Sequence, residues 1–255
     1  MTGAVHAPAA AAVPALAFRG VAKRFPDGTE AVDRVDFEVP AGSLTAIVGP
    51  SGCGKSTLLR IAAGLVPATA GEVAIAEKPV GFVFQDPTLL PWRDVRSNVE
   101  LLGQLHGVPA GERRRRAEEA IALTGLTGFE RHLPRALSGG MRMRASLART
   151  LTLQPRVLLL DEPFGALDEI TRERLNEELL RLHGASGFTA LLVTHSVAEA
   201  VFLASRIAIM SPRPGRIVDW LDIPFAYPRD AALRSDPAFH AVVAKVSESL
   251  RRVIA

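Results

Sequence analysis

At 255 residues the chain is long enough to bury a full core, as one large domain or two small ones. With 48% hydrophobic and 22% charged residues it is excluded from the disordered and fibrous classes, and a net charge of +3 gives no electrostatic reason to expect nucleic acid or an anionic lipid surface as a partner. A single cysteine, Cys53, excludes an intramolecular disulfide, and no stretch approaches the ~18 consecutive apolar residues of a bilayer span.

The start is rich in Ala and Pro, with no basic segment leading into a clean apolar one. Residues 1–15 read as a frayed tail rather than a signal peptide. Short apolar alternations predict strands at Leu16–Val21 and Val32–Val39, and a buried strand at Leu44–Val48. A glycine-rich loop follows, then a helix from Lys55 to about Ala63 that Gly64 and Pro67 end. Glu72–Ile75 and Val80–Phe84 read as strands. Val95 to Thr150 reads as mostly helical, with breaks near Gly107–Gly111 and Gly125–Pro134. Within it, the basic run Arg113–Arg116 faces acids three or four residues away, the pattern of a solvated helix face. Val157–Leu160 predicts a central strand ending in acids. Helices at Ile170–His183 and Val197–Ala204 then alternate with strands at Thr189–Val193 and Arg206–Met210, before a turn at Pro212–Gly215. Alternating strands and helices imply an α/β fold with parallel central strands, interrupted by a helical insert over about 88–155. Residues 226–255 predict an amphipathic helical extension without a motif.

Two motifs carry chemistry directly. Gly49-Pro50-Ser51-Gly52-Cys53-Gly54-Lys55-Ser56-Thr57 fits the G-x-x-x-x-G-K-[ST] P-loop pattern, Walker A. Its glycines let backbone N–H groups curl around phosphate, where a Cβ would obstruct, and the helix after it aims its positive end at the same anion. Lys55 supplies a charge for the β- and γ-phosphates and Ser56 a hydroxyl for Mg²⁺. Cys53 occupies a wildcard position and reads as a small loop residue. The second motif, Val157-Leu158-Leu159-Leu160-Asp161-Glu162, puts two acids at the carboxyl end of a buried strand, where α/β sheets bind ligands. Asp161 suits water-mediated Mg²⁺ binding, and Glu162 suits polarising an attacking water. Together they predict a P-loop NTPase with Mg²⁺, and nothing narrower.

A third motif narrows the class. Leu137-Ser138-Gly139-Gly140-Met141 resembles the signature sequence of ABC ATPases, with Met141 in place of the usual glutamine. The resemblance covers roughly residues 16–220 and implies a P-loop α/β core with an antiparallel β-subdomain and an inserted helical subdomain, in a cassette over 16–225. It implies that Ser138, Gly139 and Gly140 meet the γ-phosphate of ATP held by a second subunit, so that the protein works as a homodimer. By the same resemblance Gln85 is the glutamine that senses Mg²⁺ and faces a permease, and Asp168 lies at the dimer seam. His195 is then the switch histidine on the γ-phosphate, and Phe25 the aromatic stacked on adenine. Within the family, Pro87–Trp92, Asp161–Asp168 and Met210–Ile217 are most similar to ATPases of nitrate, sulfonate and taurine importers. That implies a permease and a solute-binding protein as partners, and a place on the cytoplasmic side of a membrane. Ser196 stands where an aspartate is common, and the stretch Gly71–Gln85 is short, which should trim the outer edge of the antiparallel subdomain. Two other readings are an ABC ATPase of DNA repair or translation and a regulatory module that hydrolyses little. A single cassette without heptads argues against the first, and Glu162 with His195 argues against the second.

Overall fold

The computed structural model describes residues 14–165 and 167–254, which form nine strands and eight α-helices. The tail expected over 1–15 lies outside the described residues up to residue 13, and Pro14 and Ala15 open the first strand.

Three strands, β1 (Pro14–Arg24), β2 (Glu30–Pro40) and β4 (Ala70–Ile75), make an antiparallel sheet in the order β2-β1-β4. The larger sheet runs β5-β6-β7-β3-β8-β9, built from β3 (Leu44–Val48), β5 (Val80–Val83), β6 (Val157–Asp161), β7 (Thr189–Val193), β8 (Arg206–Met210) and β9 (Ile217–Asp222). Its strands are parallel except β9, which pairs antiparallel with β8. Sequence reasoning left β9 unassigned; its outer residues are polar or half-exposed, as at an edge, and Arg206 stacks 4.2 Å over its Trp220. Only residues 76–79 separate β4 from β5, the short connection expected of a trimmed β-subdomain.

Alternation along the central strands divides the core. Ile47, Leu159, Leu191 and Ala208 face one way, onto α1 (Lys55–Ala62) and the small sheet. Ala46, Leu158, Leu192 and Ile209 face the other, onto α6 (Glu169–Ser186), α7 (Val197–Leu203) and α8 (Pro237–Ile254). Both faces being covered, these strands are continuous apolar runs, and truncating one such leucine to alanine costs about 2–5 kcal/mol. Phe239 and Val246 tie α8 into this second cluster.

The helical middle comprises α2 (Val95–Val99), α3 (Leu101–Leu105), α4 (Ala110–Leu123) and α5 (Gly139–Leu151). It has its own small core around Val95, Val99, Ile121, Leu126 and Ala145. The Arg113–Arg116 run is spent on Glu100, Glu112, Glu118 and Glu119, so it is an ion-paired helix face.

Candidate nucleotide site

The loop from Gly49 to Gly54 joins β3, buried along its whole length, to α1. Its glycines are dictated by space. A Cβ on Gly54 (φ +107°) would lie 2.4 Å from the Ala31 carbonyl oxygen, and one on Gly49 would lie 2.8 Å from that of Met210. Lys55 is 5% exposed, and its Nζ donates to the carbonyls of Gly49 at 2.8 Å and Pro50 at 2.9 Å. The ammonium thus sits in the mouth of the loop. No acid occupies the first turn of α1, which leaves the positive end of that helix free for an anion. Cys53 is buried below the loop.

Asp161 ends β6 at 1% exposure. Its Oδ1 accepts from the Ser56 hydroxyl at 2.6 Å, and Arg60 Nη2 lies 3.8 Å from Oδ2. Burial pushes its carboxyl up; the Ser56 hydrogen bond and the Arg60 charge oppose that rise, and Glu162 adds to it. A buried carboxylate beside a hydroxyl is a hard-oxygen pair that a magnesium ion on nucleotide phosphates fits, and such an ion would relieve the desolvated charge. The described residues contain no group of three or more His, Cys, Asp or Glu suited to a metal.

Glu162 follows directly with φ +45°, a left-handed conformation that costs a non-glycine residue energy and turns its side chain out of the sheet. Its N–H donates to Val193 of β7 at 2.9 Å. Gln85 Nε2 donates to Glu162 Oε2 at 3.2 Å, and His195 Nδ1 lies 3.2 Å from the same oxygen. Gln85 comes just after β5 and His195 just after β7. Because β5, β6 and β7 are adjacent and parallel, their carboxyl ends bring all three side chains to one point. Gly165 leaves room there, since a Cβ would lie 3.1 Å from His195 Cε1.

The other expected residues lie apart from this cluster. Ser138 caps α5, its Oγ accepting from Met141 N–H at 3.2 Å, and Asp168 caps α6, its Oδ1 accepting from Thr171 N–H at 2.9 Å. Gly140 sits against α6, where a Cβ would meet Thr171 Cγ2 at 2.6 Å, whereas Gly139 is exposed with nothing nearer than 3.7 Å. Among the described residues no hydrogen bond joins Leu137–Met141 to the loop at Gly49–Thr57. Phe25 is half-buried at the end of β1, with Lys23 Nζ 5.2 Å from its ring.

Two contacts were not read from the sequence. Arg60 approaches Asp161, and Arg213 donates from Nε (3.0 Å) and Nη2 (2.8 Å) to the carbonyl of Gly52. Arg213 lies in the family-like phrase Met210–Ile217, which was the only signal available for it.

Comparison with known proteins identifies the family. The family model described as ABC transporter matches residues 32–165. The chain is 46% identical over 226 residues to the taurine import ATP-binding protein TauB of Yersinia pestis bv. Antiqua, covering 84% of this chain and 89% of that one. It is 47% identical over 221 residues to the aliphatic sulfonates import ATP-binding protein SsuB 1 of Mesorhizobium japonicum, covering 84% and 82%. Among solved structures, a dimeric post-hydrolysis state of the ATP-binding cassette MJ0796 bound to ADP and Pi superposes with a TM-score of 0.73 at 31% identity, covering 83% of this chain and 100% of that one. The chain therefore belongs to the ABC transporter family, as one of its ATP-binding, ATP-hydrolysing cassettes.

Proposed function

We propose that the protein energises import of a small taurine- or sulfonate-like solute, with ATP bound between two copies of the chain and hydrolysed at Glu162. The observation that carries the catalytic part is the meeting of Gln85, Glu162 and His195 on one carboxylate oxygen beside the P-loop. Lys55 binds the β- and γ-phosphates once they displace its two carbonyl partners, and the backbone of Gly49–Thr57 wraps them. Ser56, Asp161 and Gln85 would hold Mg²⁺. When bound, the ion neutralises phosphate charge in the transition state. Glu162 orients and polarises the attacking water, and His195 and Gln85 steer its carboxylate. Phe25 stacks on the base. Ser138, Gly139 and Gly140 of a second copy close over the γ-phosphate, with Asp168 at the seam, in a two-fold arrangement.

No helix among the described residues is long and apolar enough to cross a membrane, so a separate permease must supply the path, with a solute-binding protein delivering to it. We place the permease on the open groove between the edge strand β5 and the helical insert, a space of about 990 Å³ lined by Leu65, Phe82, Phe84, Leu102 and Leu153. It adjoins the Gln85 segment, and Leu65 and Leu105 are exposed beside it at 55% and 71%. By family resemblance the chain then works on the cytoplasmic face of the membrane, with the insert at about 88–155 relaying nucleotide state to the permease. The relatives named for taurine and aliphatic sulfonates support the solute class.

Glu162→Gln tests the chemistry. The amide keeps the shape of the side chain but cannot accept a proton, so kcat should fall at least about a hundredfold while ATP affinity holds within a few-fold. Turnover within about tenfold of wild type would remove Glu162 from the role assigned to it.

A further inference from the structure

The stretch between β9 and α8 closes on the far end of α7. Arg229 is 7% exposed, and among the described residues it has no carboxylate partner. Its Nη1 donates to the carbonyls of Val201 (3.0 Å), Phe202 (2.8 Å) and Ala204 (3.0 Å). Its Nε and Nη2 donate to Phe225 at 3.1 Å and 2.6 Å. The Tyr227 hydroxyl donates to Leu203 at 2.5 Å, and the Arg234 guanidinium lies 3.7 Å over the Phe202 ring. A buried guanidinium spent on the last carbonyls of a helix fills the acceptors that the helix leaves open. It also sets a positive charge against the negative end.

The near end of α7 is the turn that carries His195. Ser196 N–H donates to the Thr194 hydroxyl at 3.0 Å, and Ser196 Oγ accepts from Glu199 N–H at 3.3 Å. Glu199 is 3% exposed and lies one turn into the helix. Its position is therefore coupled to the same turn. At seven residues, α7 is about 10 Å long and has no room to bend, so a displacement at Ala204 is a displacement at His195.

Resting on the reading of His195 given above, we infer that Arg229 is a positioning residue for ATP hydrolysis, acting through α7 to hold His195 against Glu162. The segment between β9 and α8 is then part of the catalytic apparatus and not an appendage. It acts on the chemical step, because neither Arg229 nor Tyr227 touches the P-loop.

The test is Arg229→Lys and Tyr227→Phe in the full chain, each with and without His195→Ala. In folded Arg229→Lys, kcat should fall about tenfold with KM for ATP within about twofold. In the His195→Ala background the same change should lower the residual rate less than about twofold, since the residue it positions is gone. Tyr227→Phe removes one hydroxyl and should give the same pattern at about two- to threefold, which decides the matter if Arg229→Lys does not fold. Unchanged kcat in the folded variants, or equal losses with and without His195, would overturn the inference and leave the site reading standing. A fully active His195→Ala would instead overturn the site reading on which the inference rests.

Discussion

The two glycine loops, Gly49–Thr57 and Leu137–Met141, both lead into the N-terminus of a helix, yet the chain encloses one and presents the other. In the first, Gly52 and Gly54 have positive φ, Cβ atoms at Gly49 and Gly54 would strike backbone of the same chain, and Lys55 is buried. In the second, neither glycine has positive φ, Ser138 and Gly139 are exposed, and only Gly140 is held to be small by a neighbour, Thr171. Packing within the chain accounts for Gly49 and Gly54 of the first loop. It gives no reason for glycine at 139. A glycine with open space around it fits the proposal that this loop meets the γ-phosphate of ATP held by a second copy.

Three substitutions sharpen or break that contrast. The largest effect should come from Gly54→Ala. A Cβ 2.4 Å from the Ala31 carbonyl, at φ +107°, should destabilise the fold by about 2–4 kcal/mol and abolish ATP binding. Thermal denaturation and nucleotide titration read both, and a stable variant that binds ATP would show the first loop to be less constrained than its geometry implies. Next comes Phe25→Ala, which probes the base end of the enclosed site. Loss of stacking should weaken ATP by about 1–3 kcal/mol, measured by calorimetry, and unchanged affinity would return Phe25 to the core cluster it packs against. The smallest effect on the fold should come from Gly139→Ala. At the start of α5, with open space around it, alanine should raise stability by up to about 1 kcal/mol while ATPase activity falls about tenfold. Undiminished activity there would mean that the exposed loop meets no phosphate.

The same contrast explains what could be read from the sequence. The strand, loop and helix at Leu44–Ala62 are contiguous, so spacing alone predicted an anion cradle there, and the buried run Val157–Leu160 predicted the strand carrying Asp161 and Glu162. The meeting of Gln85 and His195 on Glu162 depends on β5, β6 and β7 being neighbours, which local patterning does not encode; the family resemblance singled out both residues but gave neither a contact with Glu162. The Arg213 contact to Gly52 and the Arg60 approach to Asp161 arise from tertiary approach; the family-like phrase Met210–Ile217 drew attention to the segment of Arg213, and nothing in the sequence did so for Arg60. β9 was missed because an edge strand carrying Asp219 and Asp222 lacks a clean apolar alternation. The grip of Arg229 on α7 joins residues far apart in sequence through carbonyls, which have no side-chain identity to read.

The central claim is that each site is completed by a second copy, and dimerisation in Glu162→Gln tests it most directly. With hydrolysis blocked, sizing chromatography should give a dimer in the presence of ATP and Mg²⁺ and a monomer without them. Adding Ser138→Arg puts a cation and its bulk at the exposed loop, which among the described residues makes no hydrogen bond to the P-loop of its own chain. It should abolish that dimer while ATP affinity of the monomer stays within a few-fold. A monomer in ATP without the second substitution, or a dimer that persists with Ser138→Arg, would contradict the shared site.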